Sequence, residues 1–356
     1  MNTRNHGLDF LRFVACLGIV FLHFSNYGCS DGVYFGNVLI DPDGDLYNFS
    51  VIVVIFFCLS GFLAYSRRKK IEDGEGFGRY LSERMIRIIP MLAISVVCWV
   101  LTSDWLIRSK NAAAVPGHDL WALIEACLGV EYGWVFEAGG IQPESWFVGV
   151  LLLCFVLFYF CVWLAKQKKM NPVWFFGLFV LFGALCYSQE FELPFCGVRS
   201  GTGYEAFFFG AILADFIERK KVSGKIYIAS GLIVLCYFIY LIFWPQYVVF
   251  GKVHLISFLV APASIILLSS PGASRLFAWK GWQFLGKITY SVYLLHVSVL
   301  FALFSLMNMA GVRIDYAHEV VLITFELIVF SVGALAYLLF ERPITRYLKK
   351  RFEQGA

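Results

Sequence analysis

Runs of about twenty apolar residues recur ten times along this 356-residue chain, each about long enough to cross the roughly 30 Å hydrocarbon layer of a bilayer as an α-helix. They lie near residues 8–27, 47–66, 86–103, 145–165, 172–188, 203–217, 225–243, 253–270, 283–306 and 316–340. Within lipid a backbone must satisfy its own hydrogen bonds, so such runs predict an all-α, polytopic membrane protein of about ten transmembrane helices. With 60% hydrophobic, 18% aromatic and 15% charged residues, the chain is too apolar for an ordinary soluble enzyme.

The basic residues test that count independently, because cytoplasmic loops hold most Lys and Arg. Threading the chain through ten spans puts 23 of the 29 Lys and Arg on the side of the N-terminus and five opposite, with Arg12 inside the first span. Both termini are then cytoplasmic. The opposite loops are mildly acidic, with Asp31, Asp41, Asp43 and Asp45 in the first and Glu125, Glu131, Glu137 and Glu144 in the second. The net charge of +4 thus reflects topology, and nothing in it suggests nucleic-acid binding. One membrane domain, residues 1–345, is expected, followed by a short basic cytoplasmic tail, 346–356. The first span is too long, and too interrupted by Arg12, for a cleavable signal peptide.

Arg12 and His23 both sit inside that first span. Eleven residues apart, they are about three helical turns and on the order of 16 Å from one another, so they share one stripe of the helix. A buried arginine costs about 2.5–3.5 kcal/mol on insertion scales, so such residues face a bundle interior or a wet cavity. Two further intramembrane carboxylates, Glu205 and Glu326, need partners for the same reason; Arg12, Arg199 and the histidines are the candidates.

Of the ten cysteines, most lie within spans and none has metal-ligand spacing, so no metal is expected. Cys29 and Cys196 fall on the outer side, where a disulfide is chemically open to them. The second outer loop, Asp104 to Glu144, is long and carries Trp105, Trp121 and Trp134. Within it, His118 to Val130 reads as an interfacial or re-entrant helix, or as part of an aromatic collar at headgroup level. In the first cytoplasmic loop Phe77, Tyr80, Leu81, Met85 and Ile88 recur at helical spacing, which predicts an amphipathic surface helix leading into span three.

Five pieces of the chain, in order, carry a family resemblance. They are Leu8-Asp9-Phe10-Leu11-Arg12 with His23; Phe56-Phe57-Cys58-Leu59-Ser60-Gly61; Arg84-Met85-Ile86-Arg87 before Pro90; Leu285-Gly286-Lys287-Ile288-Thr289-Tyr290-Ser291-Val292-Tyr293-Leu294-Leu295-His296; and Phe340-Glu341-Arg342-Pro343. Together they resemble the acyltransferase-3 family of integral-membrane O-acyltransferases. One departure stands out. The family's fourth-span motif places a glutamate after its tryptophan, whereas Trp146-Phe147-Val148-Gly149-Val150-Leu151 has none.

The resemblance implies an inner-membrane enzyme that moves an acyl group, most simply acetyl, from cytoplasmic acetyl-CoA to a hydroxyl of a cell-surface glycan, lipopolysaccharide O-antigen or lipid-linked glycan. Many relatives carry an SGNH hydrolase-like domain for which this chain has no room, so transfer to the acceptor is expected within the membrane part or with a partner. Arginines pair with phosphates in forked geometry, which suits Arg12, Arg84 and Arg87 to the acyl-CoA phosphates. Anchoring to acidic membrane lipids is the other reading of Arg84 and Arg87. His23 is the candidate base, with His296 and Glu326 as its catalytic partners. Ser60, Trp146 and Tyr293 are substrate-side candidates, although Ser60-Gly61 also suits close helix packing and His296 simple burial. The expectation that joins them is a polar channel from a cationic entrance to His23. A proton-coupled secondary transporter is the alternative, weakened because the two halves of the chain do not echo one another.

Overall fold

A computed structural model describes residues 5–29, 52–109, 118–134, 140–191, 193–220, 222–243, 252–312 and 318–355, with backbone only at 25–29, 241–242 and 355. Asp31, Asp41, Asp43, Asp45, Arg4, Lys110, Glu137 and Arg313, and the Cys29 side chain with its proposed disulfide, lie outside what is described. Among the described residues there are helices and no strands. We number the principal ones α1 (His6–Cys29), α2 (Val53–Ala64), α3 (Phe77–Ser109), α4 (Leu120–Leu128), α5 (Trp146–Lys168) and α6 (Val173–Ser188). Then follow α7 (Val198–Arg219), α8 (Gly224–Phe243), α9 (Lys252–Ser269), α10 (Lys280–Ala310), α11 (Glu319–Ala336) and α12 (Arg342–Gly355).

Each of the ten apolar segments is helical where described. Six helical elements among the described residues are long and apolar enough to cross a membrane: α1, α3, α5, α9, α10 and the continuous Glu319–Gln354. The protein is thus an all-α, multi-pass membrane protein. The expected surface helix before span three is instead the start of α3, which runs unbroken from Phe77 through Pro90 to Ser109. Tyr80 and Ile88 on this stretch are buried in the bundle, whereas Phe77 and Leu81 are half-buried and Met85 is exposed, so packing takes part of its apolar stripe.

Helix α10 is the hub, packed against α1, α3 and α11, while α7 lies between α2 and α6. Close crossings depend on glycine. A Cβ at Gly61 of α2 would sit 1.8 Å from the Phe207 carbonyl oxygen, and one at Gly210 of α7 would sit 1.9 Å from that of Cys58. Two backbones therefore touch where Ser60-Gly61 occurs, the small-residue packing that intramembrane interfaces favour. Where α1 meets α10, a Cβ at Gly286 would be 2.8 Å from the Asp9 backbone oxygen.

Cationic side chains gather at one end of the bundle, the basic end. Asp215 near the end of α7 accepts a hydrogen bond from Tyr65 and forms an ion pair with Arg219 at 2.7 Å. Arg67 reaches Glu83 on α3 at 2.5 Å and Glu75 at 2.8 Å.

The long loop folds inward. Asp119 caps α4 by accepting from the Ala122 amide at 3.0 Å, and Gly129, at φ +68°, turns the chain against Leu92, Val148 and Leu152. Trp134 Nε1 then donates to the Gly149 carbonyl (3.0 Å), whereas Trp121 stays exposed. Burial pushes the Glu131 carboxyl above the ordinary carboxylate range, opposed by a hydrogen bond from the Ile141 amide. Gln142 is wholly buried; its amide donates to the Leu294 carbonyl on α10 (3.0 Å) and accepts from Ser95 on α3 (3.1 Å). The described parts of this loop, 118–134 and 140–145, thus pack against α3, α5 and α10, while the outer face of α4 stays exposed.

Gly61→Ala should lower the thermal midpoint of the detergent-purified protein through overpacking worth about 1–3 kcal/mol. Gly177→Ala on α6, where an added Cβ meets nothing within 4 Å, should not.

Candidate active site

Helices α1, α2, α3, α5 and α10 enclose a cavity of about 360 Å³ at the basic end. Five cationic side chains line it: Arg12, Arg67, Arg84, Arg87 and Lys287, with Glu83 as the one lining carboxylate. Their placement follows from their helices. Arg12 projects from α1 toward α10 and donates to buried Asp9 at 2.9 Å, the one-turn ion pair expected of an intramembrane arginine. Arg84 lies 3.7 Å above the Tyr80 ring and 4.9 Å from that of Phe155, so its charge is flanked by aromatic faces. One turn on, Arg87 is close enough to the carboxylate of Glu341 for the two charges to interact. Cations outnumber carboxylates in this lining, although Arg12 is paired with Asp9 and Arg67 with Glu75 and Glu83.

Two sequence motifs remote from each other meet beside it. Ser291 on α10 donates to Glu341 at 2.5 Å, and both residues are buried. Tyr290 donates to the Ile88 carbonyl of α3 at 2.8 Å, which fixes α3 and its arginines against α10. Glu341, Arg67 and Lys287 were not singled out from sequence. Glu341 falls in the closing motif and Lys287 in the motif that runs from Leu285 to His296, neither with a role of its own, and no motif includes Arg67.

Toward the opposite end α1 and α10 bring the histidines together. His23 Nδ1 and His296 Nε2 are 2.6 Å apart, and His296 Nδ1 is 2.5 Å from the Tyr293 carbonyl oxygen. A carbonyl only accepts, so His296 Nδ1 carries a hydrogen, and with the pair neutral its Nε2 accepts from the Nδ1–H of His23. The proton-accepting lone pair of the dyad then falls on His23 Nε2. Between the two levels Cys16 Sγ donates to the Thr289 carbonyl at 3.5 Å, so Arg12, Cys16 and His23 share the α1 stripe that faces α10.

The other sequence candidates divide. Ser60 and Tyr293 line the cavity, whereas Trp146 does not and packs 5.8 Å from the Phe57 ring. Among the described residues Glu326 on α11 makes no hydrogen bond to either histidine: the His296 nitrogens meet Tyr293 and His23, and Glu326 Oε2 is buried without a hydrogen-bond partner. Glu205 is held neither by Arg12 nor by Arg199 but by His254, at 2.6 Å, while Arg199 stacks over Tyr132. Glu144, two residues before Trp146, is buried, and its backbone carbonyl accepts from the Tyr293 hydroxyl at 2.5 Å. Cys196 contacts Cys186 through its thiol. Among the described residues no group of three His, Cys, Asp or Glu side chains converges as metal ligands.

The expected continuous polar channel is absent from the described residues. The cavity stops at Phe56, Phe147 and Tyr293, and neither histidine lines it. Tyr293 forms the boundary from both sides, since its ring faces the cavity and lies 5.9 Å from that of His296.

The described residues thus form a helical bundle with a cation-lined cavity on one side and, beyond it, a half-buried His23 against a buried His296. The acyltransferase-3 family, whose model is described as an acyltransferase domain, matches residues 5–350, and the chain belongs to it. It is a membrane acyltransferase. No curated protein and no solved structure shows a significant match to the chain.

Ser291→Ala should leave the buried Glu341 carboxylate without its donor and lower stability by about 1–3 kcal/mol, read as a fall in the thermal midpoint.

Proposed function

We propose that the protein transfers an acetyl group from cytoplasmic acetyl-CoA to a hydroxyl of a surface glycan or lipid-linked glycan, across the inner membrane. The observation that carries this reading is the cavity itself: five cations at its mouth and an aromatic end one ring away from the histidine pair. The basic end is then cytoplasmic, in line with the distribution of Lys and Arg. A coenzyme A donor brings phosphates suited to Arg67, Arg84, Arg87 and Lys287, and a thioester arm narrow enough to follow the cavity inward.

His23 Nε2 accepts the proton of the acceptor hydroxyl as its oxygen attacks the thioester carbonyl. The new C–O bond forms, the tetrahedral intermediate collapses, the C–S bond breaks, and the departing thiolate takes the proton from His23. His296 is the group that holds this imidazole. Its Nε2 accepts from His23 Nδ1, which fixes the tautomer and orients the ring, and it stabilises the imidazolium when that forms. Glu326 has no part in this relay. Gln142 and the backbone carbonyl of Glu144 brace α10 at Leu294 and Tyr293, within one turn of His296.

Two outcomes test the reading, each measured as thiol release from acetyl-CoA by purified, folded protein with a glycan acceptor. His23→Ala should lower kcat by about 10²–10⁴-fold, the usual size of a general-base contribution. His296→Ala should lower it less and displace the acid limb of the pH–rate profile, which a merely structural histidine would leave in place. Arg67→Ala and Lys287→Ala should each raise KM for acetyl-CoA by about 10–100-fold, as the loss of a charged hydrogen bond worth about 1.5–3 kcal/mol requires, with kcat little changed. A carrier of any kind would release no thiol.

A further inference from the structure

The cavity ends on a wall of three rings, each supplied by a different helix. Phe56 of α2, Phe147 of α5 and Tyr293 of α10 all line it, with centroids 6.0 Å apart for Phe56 and Phe147, 6.5 Å for Phe56 and Tyr293, and 5.5 Å for Phe147 and Tyr293. At these separations the rings meet edge to face or tilted, and no chain of carbon atoms passes between them.

Two of the rings are braced. Tyr293 is held by its hydroxyl on the Glu144 carbonyl, and Phe147 by the Phe57 ring 4.6 Å behind it. Phe56 is only partly buried and has no such brace.

On the far side of Tyr293 lies His296, so the wall is one ring thick between the cavity and the imidazoles. A thioester presented at this end has its carbonyl against the wall, and whatever extends beyond that carbonyl must fit among the rings. A methyl group requires little displacement. Each further methylene must push an aromatic side chain into a packed neighbour, because protein interiors yield little volume.

The geometry points to Phe56, Phe147 and Tyr293 as the residues that set the length of the transferred acyl group, admitting acetyl and rejecting longer chains. This rests on the acyl-CoA reading above and adds to it the determinant of chain length. The rings that contact the acyl group are separate from those beside the phosphates, since Phe155 lines the same cavity next to the Arg84 guanidinium.

The test compares thiol release from acetyl-, propionyl- and butyryl-CoA by the full chain purified in detergent. Wild-type protein should lose kcat/KM steeply from acetyl to butyryl. In Phe147→Ala and Phe56→Ala the butyryl-to-acetyl ratio of kcat/KM should rise by about tenfold or more, the discrimination expected of one or two methylenes in an apolar pocket. Phe155→Ala should raise KM for all three donors together and leave the ratio at the wild-type value. Should either alanine variant fail to fold, Phe147→Leu and Phe56→Leu preserve most of the packing and should shift the ratio in the same direction by a smaller factor. Folded Phe56 and Phe147 variants that keep the wild-type ratio would overturn the assignment of the wall while leaving the donor reading intact. A wild-type protein that releases thiol from none of the three would overturn both.

Discussion

The structure hinges on the seam between α1 and α10, two helices that run in the same direction and touch along their length. At the basic end Asp9 meets Gly286 so closely that no Cβ fits; further along Cys16 reaches the Thr289 carbonyl; at the far level His23 meets His296 at 2.6 Å. Polar groups inside a membrane bundle are stable only when paired, so the seam is where an arginine, a carboxylate and two imidazoles can be carried at all. The same seam fixes the distance between the charged cavity and the base, because both belong to one pair of rigid helices.

An enzyme whose donor and acceptor lie on opposite sides of a membrane faces a constraint that a soluble enzyme does not. A continuous wet passage between its two sites would leak ions, while a sealed bundle would keep the substrates apart. A layer of aromatic rings one side chain thick meets both demands, since rings close against water yet can be displaced by a substrate with binding energy to spend on doing so. The braced Tyr293 and Phe147 and the less constrained Phe56 fit such a layer, and it stands where a plain polar channel was expected.

Much of this was legible from sequence, and the reasons are local. The helices over the apolar runs follow from those runs, and the shared stripe of Arg12 and His23 follows from a spacing of eleven residues. What the sequence could not supply was contact between distant segments. Arg67 and Lys287 become cavity walls only because α2 and α10 converge there, and Glu341 acquires its role from Ser291, fifty residues away. His254 was an unremarked histidine until Glu205 on another helix needed a partner, and Gln142 looked like one more loop residue until its amide was found bonded to α10. The helix from Phe77 follows from its periodic stripe, but the stripe does not tell that Tyr80 and Ile88 pack into the bundle while Met85 stays exposed. Glu326 forms no hydrogen bond to either histidine among the described residues, because position along a helix tells depth but not which neighbour a side chain meets.

The central claim is that a single route leads from the cationic cavity, past the aromatic layer, to His23. Its most direct test is the structure of the full-length protein bound to a non-hydrolysable thioether analogue of acetyl-CoA. The expected result has the phosphates among Arg67, Arg84, Arg87 and Lys287, the ring of Phe56 displaced, and the acyl carbonyl beside His23 Nε2. An analogue seated with its phosphates elsewhere, or with its carbonyl remote from His23 in the presence of acceptor, would contradict it.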